Sequence, residues 1–182
     1  MKYTSKDLTL YLRRNLRETL RPRGFRQRGR LLLREERAGV SSIVELDVLR
    51  GTEASRLEFR VMFHSYHVEH EQRVTGRSPD QVPNLIYPAL SFEMSQLRGE
   101  KATLPYYCEN LPQADDLCKE FDDLIDSVAL PILEQAADYA NIDALRHKHP
   151  VIGRPPRDPE KDALERAKIE KMIAGMNLKL PD

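Results

Sequence analysis

Ile43-Val44-Glu45-Leu46-Asp47-Val48-Leu49 and, beyond a turn at Gly51-Thr52-Glu53-Ala54, Arg56-Leu57-Glu58-Phe59-Arg60-Val61-Met62-Phe63-His64 decide the fold of this chain. Val44, Leu46 and Val48 alternate with Glu45 and Asp47, and Leu57, Phe59, Val61 and Phe63 alternate with Glu58, Arg60, Met62 and His64. Side chains on a strand point to opposite faces in turn, so a period of two describes strands with one buried side and one wet side. A short connection between two such strands makes them antiparallel neighbours.

Upstream, Phe25–Glu36 reads as a strand or hairpin arm centred on Leu31, Leu32 and Leu33, with Ala38-Gly39 as the turn into the next strand. Before it, Leu8, Leu12, Leu16 and Leu20 recur every four residues, which predicts one apolar stripe on a helix. Thr4 caps its start and Asp7 completes a capping box, whereas Pro22 and Gly24 stop it. Downstream, Gly76, Pro79 and Pro83 place a surface loop over residues 72–86. Leu90, Phe92 and Met94 suggest a fourth strand, Arg98-Gly99-Glu100 a turn, and Leu104–Cys108 a short edge segment.

A second long helix starts near Pro112. Its apolar positions are Leu117, Phe121, Leu124, Val128 and Ile132, and Pro131 predicts a kink or break. Helical pattern runs on to about Tyr139, with a further turn over Ile142–His147. Arg154-Pro155-Pro156-Arg157-Asp158-Pro159 then reads as an extended linker, followed by a short helix. The expected architecture is therefore α+β. An antiparallel sheet of about four to six strands carries two long helices on one face, and a short C-terminal helix is appended. Residues 1–148 form one domain, and residues 149–182 a Pro-rich linker with a helical appendage.

The composition fits one soluble domain. Among 182 residues, 40% are hydrophobic and 32% charged, and 29 Lys+Arg balance 29 Asp+Glu. That apolar fraction excludes wholesale disorder. The neutral total argues against a dedicated nucleic-acid or anionic-membrane role. No stretch approaches the roughly 18 apolar residues of a membrane span. No signal-peptide-like run follows Met1, so the cytoplasm is the expected compartment. Cys108 and Cys118 form no Cys-x-x-Cys pair and are expected to be reduced, structural thiols.

Charge is neutral in sum but not in place. Residues 1–37 hold 12 Lys+Arg and 4 Asp+Glu, a net of +8, and residues 107–145 hold one Lys and 10 Asp+Glu, a net of −9. Two helices neutralising each other would explain this. So would an exposed acidic face of Asp115, Asp116, Asp122, Asp123 and Asp126, built to hold a basic partner. An Arg-rich start that binds phosphates is the weaker reading, because Tyr3, Tyr11 and Phe25 are the only aromatics available for stacking.

Two constellations carry chemical interest. His64, His67 and His70 lie close together with Glu69 and Glu71, but strand positions three apart face opposite ways, so metal binding would need the chain to curl. Asp47 and Glu58-Phe59-Arg60 have the spacing of a metal-dependent nuclease, in which two carboxylates hold a divalent ion. Arg60 stands where a lysine would serve and cannot release a proton near neutral pH. Nucleophile-elbow, P-loop and dinucleotide-binding motifs are absent. The expectation is no catalytic residue, no metal and no cofactor.

The segment Leu20-Arg21-Pro22-Arg23-Gly24-Phe25, the basic stretch after it and Leu31-Leu32-Leu33-Arg34-Glu35 resemble the opening of an uncharacterised bacterial family, domain of unknown function 4304. Val128-Ala129-Leu130-Pro131-Ile132-Leu133, with Ala144-Leu145 downstream, resembles that family's closing helix, so the likeness spans roughly residues 5–148. It implies the α+β architecture and no established catalytic residue. By fold-level analogy, small bacterial domains of this kind sometimes act as antidotes to toxins. The expected function is a non-catalytic, cytoplasmic protein-binding domain, an immunity-type antidote in its most specific form, whose partner is a basic toxin domain. A metal-dependent nuclease using Asp47 and Glu58 is the rival. A structural module that oligomerises through the C-terminal helix is the third reading.

Overall fold

The computed structural model describes residues 3–49, 56–75, 88–98 and 105–148. Helix α1 (Ser5–Leu20) begins with the expected box: the Thr4 hydroxyl accepts the Asp7 amide at 3.2 Å, and the Asp7 carboxylate accepts the Thr4 amide at 2.9 Å. Leu8, Leu12, Leu16 and Leu20 are all buried along one side. A 3₁₀ turn (Arg21–Arg23) ends it at Gly24, whose φ of +86° is costly for any residue with a Cβ.

The basic stretch then folds into two strands rather than one. β1 (Arg26–Arg28) and β2 (Leu31–Arg37) form a hairpin that turns at Gly29, whose φ is +61°. The chain continues through β3 (Val40–Val48), β4 (Leu57–His67), helix α2 (Val68–Thr75), β5 (Leu90–Glu93), the single helical turn α3 (Met94–Leu97) and β6 (Tyr106–Cys108). The six strands make one antiparallel sheet in the order β1-β2-β3-β4-β5. β6 pairs with β4 beside β5, across Leu57–Phe59, where β5 takes Met62–Ser65. The loop expected at residues 72–86 is helical up to Thr75; its remainder, the turn at Gly51–Ala54 and the C-terminal appendage lie outside the described residues.

Helix α4 (Leu111–Leu124), a π-helical stretch (Ile125–Ala129) and α5 (Leu130–Ala136) run on without interruption. The widened turn is the answer to Pro131. Proline lacks the amide its neighbours use and crowds the preceding turn, and the Leu130 amide bonds five residues back to the Ile125 carbonyl. A 3₁₀ turn (Tyr139–Asn141) and α6 (Ile142–Lys148) close the described chain. The core lies between the sheet and the α1/α4/α5 layer. Phe59, Phe63 and Phe92 are fully buried there, Phe63 stacks on Phe92 at 5.1 Å, and Phe59 meets Tyr106 and Phe121.

The second side of the sheet is wet only in part. At the Asp47 end, β4 alternates buried and half-buried residues, as its sequence predicts. At the other end, Ser42-Ile43-Val44 and Ser65-Tyr66-His67 are buried without a break. Ile43 and Tyr66 point away from the helix layer yet are 0% and 2% exposed. The Tyr66 hydroxyl donates to the carboxylate of Glu71 in α2, which supplies a partner that a buried phenol requires. No helix among the described residues is long and apolar enough to cross a membrane.

Candidate functional site

The acidic residues of α4 divide into two stripes. The Tyr11 hydroxyl donates to Asp115 at 3.1 Å, the Thr19 hydroxyl donates to Asp122 at 2.5 Å, and the Arg23 guanidinium grips both oxygens of Asp126. The sequence offset between partners is 104, 103 and 103 residues, so α1 and α4 run parallel in one fixed register. Asp115, Asp122 and Asp126 are thereby engaged within the molecule. Lys119 and the Tyr11 hydroxyl hold the Asp115 carboxyl below its ordinary value, and Arg23 does the same for Asp126. Asp116 and Asp123, each one residue further on, point outward: Asp116 meets Lys119 at 3.5 Å and its side chain is 80% exposed, and Asp123 is exposed. The structure thus brings two of the five aspartates onto α1 and a third onto the turn that ends it, and leaves two on the surface.

The opposite flank of α1 has no acidic neighbour helix. Leu10, Arg13, Arg14 and Arg17 share that flank, because residues three, four and seven apart lie on one side of a helix. Together with Gln27, Gly29 and Arg30 of the hairpin they border a groove of about 310 Å³. Leu16, Leu32, Val44 and Leu46 lie beneath it as core residues, each no more than 7% exposed. Arg14 pairs with Glu18 at 2.9 Å and Arg30 with Glu45 at 2.9 Å, while Arg17 reaches Gln27 at 3.4 Å. Arg13, Arg21, Arg26 and Arg28 are exposed and enter no ion pair among the described residues. The signal for this flank was present in the sequence: Leu10 is the one leucine of α1 off the four-residue stripe, and three arginines follow it at helical spacing. It is 56% exposed.

The sheet places the two nuclease candidates on one side. Asp47 sits opposite Arg60, and Glu58 opposite Tyr107. The neighbouring acid is Glu93, 5% exposed, which reaches Arg60 at 3.5 Å. Burial raises the Glu93 carboxyl and Arg60 opposes that rise. Arg60 therefore answers Glu93 across the strand pair.

The three histidines separate. His64 is half-buried in β4 on the second side of the sheet and bonds the Ser91 hydroxyl at 2.9 Å; burial pushes its pKa down to about 4. His67 turns to the helix layer, where Nε2 meets the Ala136 carbonyl at 2.8 Å and the Ser65 hydroxyl at 3.1 Å. His70, on α2, meets the Tyr139 hydroxyl at 2.9 Å. Among the described residues no three His, Cys, Asp or Glu side chains gather as metal ligands. Cys108 and Cys118 are free thiols, and burial pushes each up to about 11, well away from nucleophilic use.

The fold is thus an α+β domain with a six-stranded antiparallel sheet under a helical layer, and its least compensated surface is basic. Comparison with protein-family models, with curated proteins and with solved structures finds no match to this chain.

Proposed function

We propose that this chain is a non-catalytic protein-binding domain that meets its partner with the outer flank of α1 and the β1–β2 hairpin. The observation that carries the reading is the basic flank itself: Arg13, Arg21, Arg26 and Arg28 are exposed and enter no ion pair among the described residues, and Leu10 beside Arg13 and Arg14 is 56% exposed. A face of one charge sign that nothing in the chain neutralises suits a partner of the opposite sign. The acidic row of α4 supports the reading less, since three of its five members are satisfied by α1 and the turn that ends it. An antidote to a toxin is the narrower form of the proposal, and a toxin-like reading frame beside this one would support it.

Cross-linking in the native cell, followed by mass spectrometry, tests the proposal with two variants. Arg13→Glu/Arg17→Glu should lose the cross-linked partner, and Asp116→Lys/Asp123→Lys should keep it. The reverse result moves the contact to α4, and a partner retained by both variants removes both surfaces. A nuclease assay with magnesium or manganese supplies the enzymatic arm. Activity that vanishes in Glu58→Ala would replace the binding reading with hydrolysis.

A further inference from the structure

At the far end of the molecule from the basic hairpin, we infer that the corner made of the 3₁₀ turn (Tyr139–Asn141) and α6 is an acid-released latch. His67 and His70 hold it against β4 and α2 while uncharged, and it opens locally when they take up protons. Three observations meet at this corner.

The first is what closes it. His67 Nε2 meets the carbonyl of Ala136, the last residue of α5, at 2.8 Å, and the Ser65 hydroxyl donates to the same carbonyl at 3.2 Å. His70 Nδ1 meets the Tyr139 hydroxyl at 2.9 Å, and the Tyr139 ring stands edge-on to the His67 ring at 5.4 Å. Both histidines therefore grip the chain where it leaves α5. Beyond that point α6 is seven residues long and buries Ile142 and Leu145. A short element with two apolar anchors belongs to the end of the stability range where local opening occurs.

The second is where a proton would go. A carbonyl only accepts, so Nε2 of neutral His67 carries the hydrogen and the lone pair sits on Nδ1. Nδ1 has no hydrogen-bond partner among the described residues, and His67 is 3% exposed. A proton added there would be buried without an acceptor. The closed corner resists that, and an opened corner with water at the ring does not.

The third is the charge around the pair. Burial is the main cause that lowers the pKa of both histidines. For His67, Arg37 of β2 adds to the lowering, while the Ala136 carbonyl, Glu69 of α2 and Asp138 oppose it. For His70, Arg146 of α6, His67 and Arg73 of α2 all add to it. Arg73 also lies over the Tyr139 ring at 5.6 Å. Two imidazolium ions here would join Arg37, Arg73 and Arg146 and face only Glu69 and Asp138. Above the ordinary imidazole value of 6.5 both rings are neutral whether the corner is open or closed. Below it the open corner takes up protons that the closed corner refuses, so the open population grows as pH falls.

Hydrogen–deuterium exchange of the full chain at about pH 7.5 and about pH 5.5, corrected for the intrinsic exchange rate, reads the latch. Helix α1 is the internal reference, because charging His64 acts on the whole domain. Protection of residues 139–148 should fall by about tenfold more than protection of α1. His67→Gln keeps an N–H for the Ala136 carbonyl, His70→Gln keeps an acceptor for the Tyr139 hydroxyl, and neither takes a proton. Each should remove a substantial part of the fall, and the double variant should remove it. An equal loss of protection in α1 would overturn the proposal in favour of global unfolding. No fall in the parent chain, or one that persists in the double variant, would overturn it as well. Should His67→Gln not fold, His70→Gln decides alone: a fall of undiminished size in that variant ends the proposal.

Discussion

The two flanks of α1 have the same backbone and the same sign of charge but opposite fates. On the inner flank, Leu8, Leu12, Leu16 and Leu20 enter the core, Tyr11 and Thr19 at its border meet α4, and Arg23 in the following turn meets Asp126 of the π-helical stretch. On the outer flank, Leu10, Arg13, Arg14 and Arg17 face a groove and water. The inner flank is where stability resides, because buried methylene groups are worth far more than exposed charges. The outer flank carries exposed charges, which contribute little to stability. The acidic helix therefore answers only part of the basic N-terminal excess.

The sharpest way to break this contrast is to cut the inner stripe. Leu12→Ala should cost about 3 kcal/mol, within the usual range for a buried leucine, and urea unfolding followed by circular dichroism would measure it. A loss below about 1 kcal/mol would mean that α1 is not docked as described.

Acid titration comes next in size, because arginines hold their charge throughout and any acid loss must come from other groups. His64 has a folded pKa near 4 against an ordinary 6.5. Above pH 6.5 it is neutral in both states and costs nothing. As pH falls from 6.5 to 4 the unfolded chain takes up a proton that the folded chain refuses, so stability declines by up to about 3 kcal/mol. His64→Leu should flatten that window in unfolding curves collected at successive pH values. The aspartates of the α1–α4 seam work lower on the scale. Asp115 and Asp126 have depressed pKa values, so their contribution is present above about pH 4 and disappears as pH falls through their folded values.

A smaller effect belongs to the seam at neutral pH. Arg23→Ala should cost about 1 kcal/mol, because its partner Asp126 is 53% exposed and water screens the pair. Thr19→Val should shift the melting temperature in the same direction by less. The smallest effect belongs to the outer flank. Arg13→Glu should change stability by no more than about 0.5 kcal/mol while changing what the surface binds. A large stability loss there would show that the groove is part of the fold.

Much of this fold could be read along the chain. The four-residue leucine stripe, the Thr4/Asp7 cap, the Gly24 stop and the alternation in β3 and β4 each express a local rule, and each is found where it was expected. The alternation read over Ile43–Leu49 and Arg56–His64 does not carry on to the Val40/His67 end, where the strands run longer than expected and Ser42–Val44 and Ser65–His67 are buried without a break. Ser65 and His67 lie there. They are buried because Ser65 bonds the Ala136 carbonyl and His67 bonds the same atom, partners 71 and 69 residues away. The site was less legible than the fold. The acidic run was conspicuous in sequence, whereas the arginines beside Leu10 were counted only as part of a basic excess.

The chain by itself determined the main helices and strands, where α1 begins and stops, and that basic charge gathers in residues 1–37 and acidic charge in residues 107–145. These follow from spacing and composition, which act over a few residues. Tertiary structure alone decided that Asp115, Asp122 and Asp126 answer α1 and the turn that ends it while Asp116 and Asp123 do not, and that Arg13, Arg14, Arg17 and Arg30 surround one groove. Those outcomes depend on the parallel register of two helices and on a hairpin folded beside the first of them. Both are set by how the apolar stripes pack across more than a hundred residues, and no local pattern encodes that.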